Sequence, residues 1–483
     1  MSCDKNLTLE ECELFILRTS VDNIEKKLGK KKVGDPQTKE IINIIEGFLK
    51  RKKLICYGGT AINNLLPKQE RFYDDEVDLP DYDFFSPDAL NDAKELADLY
   101  FSNGFTEIQA TAGVHKGTFK VFVNFLPIAD ITQTVPELFN SLKKTSVKVN
   151  GILYTPPNYL RMLMYLELSR PLGDPSRWEK VLKRLTLLNK YYPLKGDNCD
   201  YHKIHEIFDM EEDATDAISI IRKTLIDQKV VFFGALANSL YLKKLPKFKK
   251  YNIQDIPRFD ALSGKPKTVS NIIKKKLTNA GINDVTIEKK MGIGEVIAPN
   301  YEIKVGNNLL ASIYIPIACH NYNVIKVNKK KIRIATIDTL LSLYLAFIYV
   351  NRDKYNPSRI LCMSEYLFKV QQKNRVNQEG IFKRFGMQCY GKQHTIEDIR
   401  SEKSRKYKEL RGDKTKTTEY EEYFLRYSPK DKQELSCKSN SKSAKKKCKE
   451  ISNKTRKVRK SSLYVSNNTK KTRKSLWKRL GLF

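Results

Sequence analysis

Three aspartates, Asp81, Asp83 and Asp130, are the residues whose type and spacing point most directly to chemistry. Asp81 and Asp83 stand two apart, so on a strand both carboxylates project to one face. Asp130 closes the apolar run FKVFVNFLPIAD, which is predicted to run alongside. Three carboxylates meeting at a sheet edge repel one another, and such clusters hold divalent cations, here Mg2+ or Mn2+ with oxygen ligands. Upstream, Gly58-Gly59-Thr60 fall between an apolar strand and a helix. Glycines there let backbone N–H groups approach a phosphate, and the helix N-terminus favours its charge. Asp81 and Asp83 also follow Asp74, Asp75, Glu76 and Asp78, so the pair alone could belong to an acidic loop. The glycine turn before it and the third aspartate after it favour a site.

Several elements must position these groups. Thr8 and Glu11 form a capping box that opens one helix, and Asp35-Pro36 supplies an N-cap and an N1 proline for a second. The second helix carries Ile41, Ile44, Ile45 and Phe48 on one face and ends in Lys50-Arg51-Lys52-Lys53, which suits its negative end. The apolar strand 54–57 follows and breaks at Gly58. Alternation at Thr118–Phe125 predicts a strand with Phe119, Val121, Val123 and Phe125 on one side. Interleaved helices and strands indicate an α/β or α+β fold.

The second half repeats the first. LICYGGTAINNLL at 54–66 matches VVFFGALANSLYL at 230–242, and LPDYDFFSP at 79–87 matches IPRFDALSG at 256–264. FLPIAD at 125–130 matches YIPIAC at 314–319, and the segment at 151–171 matches that at 331–351. The shared order predicts two copies of one α/β domain. The counterparts of the glycine turn and aspartates are then Gly234-Ala235-Leu236, Arg258, Asp260 and Cys319, a retired copy unable to bind two metals.

Charge and composition narrow the partner. The 483 residues are 41% hydrophobic, enough for real cores, and carry a net charge of +32, which favours a polyanion. Residues 437–483 hold 17 Lys/Arg against the single acid Glu450, half of that excess, and are expected to be disordered. Nine scattered cysteines without a CxxC predict free thiols in a reducing compartment. Neither a long apolar run nor a signal-peptide pattern is present, so neither membrane insertion nor secretion is expected.

Gly58-Gly59-Thr60, Asp81-x-Asp83 and Asp130 together resemble the signature of the polymerase-β-like nucleotidyltransferase superfamily. More closely, YGGTAINNLL, DLPDYDFFS, FLPIADIT and SRPLGDPSRWEKVLKRL resemble the poly(A) polymerase catalytic subunits of poxviruses and giant cytoplasmic DNA viruses, over roughly residues 35–370. The resemblance implies template-independent transfer of AMP from ATP to single-stranded RNA 3′ ends. Asp81 and Asp83 would bridge two metal ions and Asp130 would ligate the one at the RNA hydroxyl, while Gly58, Gly59 and Thr60 cradle the triphosphate. It also implies either a homodimer or a cap-methyltransferase-type partner, and a location in the host cytoplasm and virion. The expected organisation is a helical segment 1–49, an active nucleotidyltransferase domain 50–195, a degenerate copy 196–375, an extension 376–436 and the tail 437–483. Arg177, Lys180 and Arg184, at i, i+3 and i+7, would present one cationic face to phosphates, and Tyr154, Asn158 and Tyr159 are candidate base contacts. Uridylyl or CCA addition, and a non-catalytic basic RNA-binding or packaging role, are the alternatives.

Weaker signals are read as structural. His202-x-x-His205 has metal-like spacing without a further ligand, Met291-Gly-Ile-Gly294 lacks a third glycine, and Gly264-Lys-Pro-Lys-Thr268 lacks Walker A spacing.

Overall fold

The computed structural model describes residues 6–199, 212–243, 258–327, 330–350, 356–376 and 378–431. His202, His205 and the basic tail 437–483 lie outside the described residues. The chain is mixed α/β. Its strands are β1 (Ile55–Cys56), β2 (Tyr82–Ser86), β3 (Ile108–Ala112), β4 (Thr118–Val123), β5 (Leu126–Gln133), β6 (Val147–Val149), β7 (Ile152–Tyr154), β8 (Val231–Phe233), β9 (Phe259–Leu262), β10 (Val285–Lys290), β11 (Asn300–Val305), β12 (Asn308–Tyr314), β13 (His320–Val327), β14 (Lys330–Ala335), β15 (Cys389–Tyr390) and β16 (Arg426–Tyr427). Two compact units divide it: Met1–Leu54, Tyr73–Gln133 and Lys403–Phe483 form one, Ile55–Phe72 and Thr134–Glu402 the other.

In the first unit the strands run β16-β3-β4-β5-β2. β4 pairs antiparallel with β3 and β5, and β2 pairs parallel with β5. The β4–β5 hairpin turns through Asn124 and Phe125, both left-handed at φ 50° and 64°. Phe119, Val121 and Val123 are buried as their alternation predicts, but Phe125 is 83% exposed because the turn takes it off the strand. The helix Ala89–Ser102 covers this sheet and brings Tyr100 to the helix Pro36–Lys52, where its hydroxyl donates to the Ile41 carbonyl at 2.8 Å. That second helix buries Ile41, Ile45, Phe48 and Leu49; its N-cap Asp35 accepts from Thr38 N–H, with Pro36 at N1. Near the C-terminal end of the described chain, β16 adds to β3, and Tyr427 donates to Asp98 at 2.5 Å.

In the second unit β1 is parallel to β7, and β6 is antiparallel to β7. Thr155 seals that pairing, since its N–H and its hydroxyl both donate to the Cys56 carbonyl at 2.8 Å. A complete sheet follows in the order β10-β11-β12-β9-β8-β14-β13-β15. Its pairings reproduce those already described: β10-β11-β12-β9 repeats β3-β4-β5-β2 in direction, and β8-β14-β13 repeats β1-β7-β6. The helices Pro157–Leu168 and Ile337–Phe347, which follow corresponding strands, pack against each other. Two disulfides, Cys199–Cys362 and Cys319–Cys389, correct the expectation of free thiols; among the described residues only Cys56 is free. Scattered positions concealed these pairs, because residues 163 and 70 apart meet only through the tertiary fold.

Candidate active site

The carboxylates are set by strand register in the first unit. Asp83 lies on β2 directly beside Asp130 on β5, so both side chains share one face. Asp81 immediately precedes β2 and, two residues before Asp83, falls on that same face. Tyr82 and Phe84 alternate to the other side and are buried, which fixes the strand against slipping. Asp81 as a whole is exposed, yet protein around its carboxyl strips part of the water shell and pushes its pKa up. The Asp130 carboxylate pushes the same way, and the Lys120 ammonium pulls back.

Lys120 is the residue that sequence reasoning missed. It sits opposite Asp130 on β4, and its Nζ lies 2.5 Å from Asp130 Oδ2, with the two side chains 37% and 22% exposed. The signal was present in TFKVFVNF, where Lys120 alternates with the buried Phe119 and Val121 and so falls on the outward side of the strand with Thr118 and Phe122. Only the hairpin register shows which carboxylate it meets. Among the described residues no three His, Cys, Asp or Glu side chains are gathered closely enough to hold a metal. The donor set nevertheless suits one: hard oxygen ligands on adjacent strands, mutually repelling, with a lysine neutralising one of them.

The glycine turn belongs to the second unit. Tyr57 is extended (φ −131°, ψ −165°), Gly58 is left-handed at φ 72°, and the helix Gly58–Leu65 starts there. An L-residue at that φ costs roughly 1–2 kcal/mol, which explains the glycine. Tyr57 gives no side-chain cap, leaving the first-turn N–H groups pointing out of the helix end. Gly59 continues the helix and Thr60 is buried within it.

The basic residues do not form one open face. The helix begins at Trp178, so Arg177 precedes it, and its Nε pairs with Glu167 Oε1 at 3.1 Å. Arg184 stacks over Phe72 at 4.5 Å, while Lys180 is exposed. Of the candidate base contacts, Tyr154 and Tyr159 are buried, Tyr159 edge-on to Tyr349 at 5.1 Å. Asn158 accepts from Arg161, itself wholly buried and also donating to Asn189 and to the Tyr192 carbonyl.

The second sheet repeats the turn and alters the charges. Phe233 has the same φ and ψ as Tyr57, and Gly234 is left-handed at 70°. A Cβ on Gly234 would stand 2.5 Å from Asp260 Oδ2. Asp260 is paired with Arg258 at 3.3 Å, so a guanidinium takes the place of a carboxylate. The register opposes Asp260 to Ser312, and Ser312 to Glu302, with a bulge one residue further on, as in β4–β5. Ser312 is therefore the positional counterpart of Asp130. The expected counterpart Cys319 lies beyond β12, bonded to Cys389. The matching PIA triplets had suggested it, but register outranks local likeness.

Residues 43–174 match the family model described as Poly(A) polymerase catalytic subunit, a shorter stretch than the 35–370 of the sequence resemblance. Among particular proteins, a candidate poly(A) polymerase catalytic subunit of African swine fever virus (strain Badajoz 1971 Vero-adapted) is 32% identical over 171 residues, 34% of this chain and 36% of the relative. That of Acanthamoeba polyphaga mimivirus is 29% identical over 217 residues, 43% of this chain and 36% of the relative. The matched region thus spans about a third of these curated relatives. The crystal structure of the Megavirus polyadenylate synthase shares the fold with a TM-score of 0.75 at 19% identity, covering 94% of this chain and 91% of that one.

Proposed function

We propose that this chain is a polynucleotide adenylyltransferase that adds AMP from ATP to single-stranded RNA 3′ ends without a template. The reading rests above all on the in-register Asp83–Asp130 pair with Asp81 beside it, inside the segment that matches the poly(A) polymerase family. Tandem nucleotidyltransferase-like domains, the second inactive, are supported by the repeated strand pairings, the repeated glycine turn and the Arg258 substitution.

Asp81, Asp83 and Asp130 would hold Mg2+ or Mn2+, which when bound supplies Lewis-acid activation of the attacking hydroxyl and charge neutralisation on the phosphates. The remaining work falls to the chain. Asp81, with its raised pKa, holds a proton more readily than an ordinary carboxylate, so the site carries less repulsion before it is loaded. Lys120 keeps Asp130 oriented by its ion pair, and it must yield for Asp130 to turn to another cation. The Gly58 turn presents backbone N–H groups to phosphate on its own account. Lys180 and the outer edge of Arg177 offer further positive charge.

Primer extension with each nucleoside triphosphate tests this reading. ATP with Mg2+ or Mn2+ should lengthen an RNA primer, Asp83→Ala should abolish extension, and Asp260→Ala should leave it while lowering stability. Activity in Asp83→Ala would remove the site assignment. Preference for UTP, or CCA addition, would keep the site and change the activity. RNA binding without any incorporation would favour a packaging role.

A further inference from the structure

One part of the repeat is enlarged in the second copy. The β6–β7 hairpin has three residues on each strand and turns through Asn150 and Gly151, both left-handed at φ 49° and 85°. Its counterpart β13–β14 has eight and six. In the matched segments Gly151 answers to Lys331 and Leu153 to Arg333, so cations stand where the first copy has a turn and an apolar residue. No acid occurs between His320 and Ala335. Alternation sorts this hairpin into two faces. Asn323, Ile332 and Ile334 are buried on the inward side. Val324, Lys326 and Lys331 are exposed on the outward side, with Tyr322 and Arg333 half-buried among them.

Charge and rings together define what that face fits. Register sets Lys326 directly opposite Lys331, and like charges so placed destabilise a strand pair. Among the described residues neither lysine has an ion pair, while Lys330 reaches Asp227 at 3.8 Å. An anion bridging the two lysines would relieve the repulsion. Beside them the Arg333 guanidinium lies over two rings, 5.3 Å from the Tyr322 centroid and 5.8 Å from that of Tyr390. Tyr390 is fixed in place: β15 pairs with β13, Cys389 is bonded to Cys319, and the Tyr390 hydroxyl accepts from Gly264 N–H at 3.1 Å. Uncompensated lysines take phosphates, and half-open rings with a guanidinium between them take bases, a combination that suits a single-stranded polynucleotide. An anionic lipid surface would engage the lysines and have no use for the rings. We propose that the outward face of β13, β14 and β15 is a holding site for single-stranded RNA, contacted through Tyr322, Lys326, Lys331, Arg333 and Tyr390. The site rests on the reading of RNA as the substrate, and it gives the inactive copy a task of its own, gripping the strand without acting on it.

Fluorescence anisotropy of a labelled oligoadenylate of about 16 nucleotides, with the full chain and no ATP, tests this. Lys331→Glu exchanges the cross-strand repulsion for an ion pair with Lys326, so the melting temperature should hold or rise while RNA affinity falls. Lys326→Ala with Lys331→Ala should bind roughly 25-fold more weakly at about 0.1 M salt, with a log–log salt slope shallower by roughly 1.4. Tyr322→Leu should bind the RNA roughly fivefold more weakly yet bind an abasic strand as the wild type does, and Tyr322→Phe should keep both affinities. Three results would each overturn the proposal: unchanged RNA affinity in the lysine variants, an equal loss of RNA and abasic strand in Tyr322→Leu, or lysine variants that lose only phosphatidylserine vesicles. No nucleotide incorporation enters these readouts. A wild type that binds RNA through this face and extends no primer would overturn the adenylyl-transfer reading alone.

Discussion

Lys120→Met separates a structural lysine from a stand-in for a metal. Lys120 lies 2.5 Å from Asp130, and its side chain and that of Asp130 are 37% and 22% exposed. A charge-assisted hydrogen bond of this kind is worth about 1.5–3 kcal/mol when dry, and discounting for solvent leaves about 1–2 kcal/mol. Methionine keeps the stem and removes the charge, so ligand-free stability should fall by about that amount. A cation that uses Asp130 must displace the ammonium, and in the variant nothing stands in its way. The same 1–2 kcal/mol then appears as Mn2+ affinity about 5- to 30-fold tighter. Isothermal titration of Mn2+ into wild type and variant reads this directly. Lys94→Met, which breaks the Lys94–Glu421 pair in the same unit, is the control and should leave Mn2+ affinity unchanged. Equal or weaker Mn2+ binding by Lys120→Met would show that the lysine and the metal do not compete, and would remove Asp130 from the metal set.

Asp81→Asn should abolish extension and yet raise the ligand-free melting temperature at neutral pH. Asp81 has a raised folded pKa, so its contribution to stability is present at acid pH and is lost as pH rises through that pKa; thermal melts across acid to neutral pH should show this fall in wild type and a flatter profile in the variant. Arg161→Met should cost about 3–5 kcal/mol in urea unfolding, because Asn158, Asn189 and the Tyr192 carbonyl lose a buried donor together. Burial already lowers the Arg161 pKa to about 10, so stability should rise again as pH climbs from there toward the ordinary arginine value. Deleting 437–483 should flatten the salt dependence of RNA binding by roughly 0.7 log units for each single-strand phosphate the tail neutralises; an unchanged slope means the tail does not bind RNA.

The face that carries the three aspartates was legible because it depends on alternation and chain order. Asp81 and Asp83 two apart, with Tyr82 and Phe84 between and after them, fix which side is wet. The Thr8–Glu11 capping box, the Asp35 N-cap and the Gly58 break were legible for the same reason, as local stereochemistry. What escaped needs register or distance. Lys120 reaches Asp130 only through the Asn124–Phe125 hairpin, and that hairpin also removes Phe125 from the core face. Arg177 and Arg184 sit at helical spacing, but Glu167 and Phe72, remote in sequence, draw them in different directions. The Cys199–Cys362 and Cys319–Cys389 pairs are likewise tertiary facts.

Register also gives the second sheet a physical meaning beyond lost residues. At the four corresponding positions the first sheet carries Asp81, Asp83, Asp130 and Lys120, and the second carries Arg258, Asp260, Ser312 and Glu302. The first set is three acids and one base on a partly open face, a net negative group whose repulsion an added cation would relieve. The second set has its own cation: Arg258 is covalently part of the chain and already bonded to Asp260, which is 8% exposed, and Glu302 and Ser312 are buried beside it. A buried carboxylate paired with a resident guanidinium cannot exchange that partner for a metal without leaving the arginine uncompensated. Such a site gains rigidity where the first retains an exchangeable charge. Arg258→Asp alone should therefore destabilise the second sheet, because it removes the cation paired with Asp260 and adds a negative charge beside the buried Asp260 and Glu302 carboxylates.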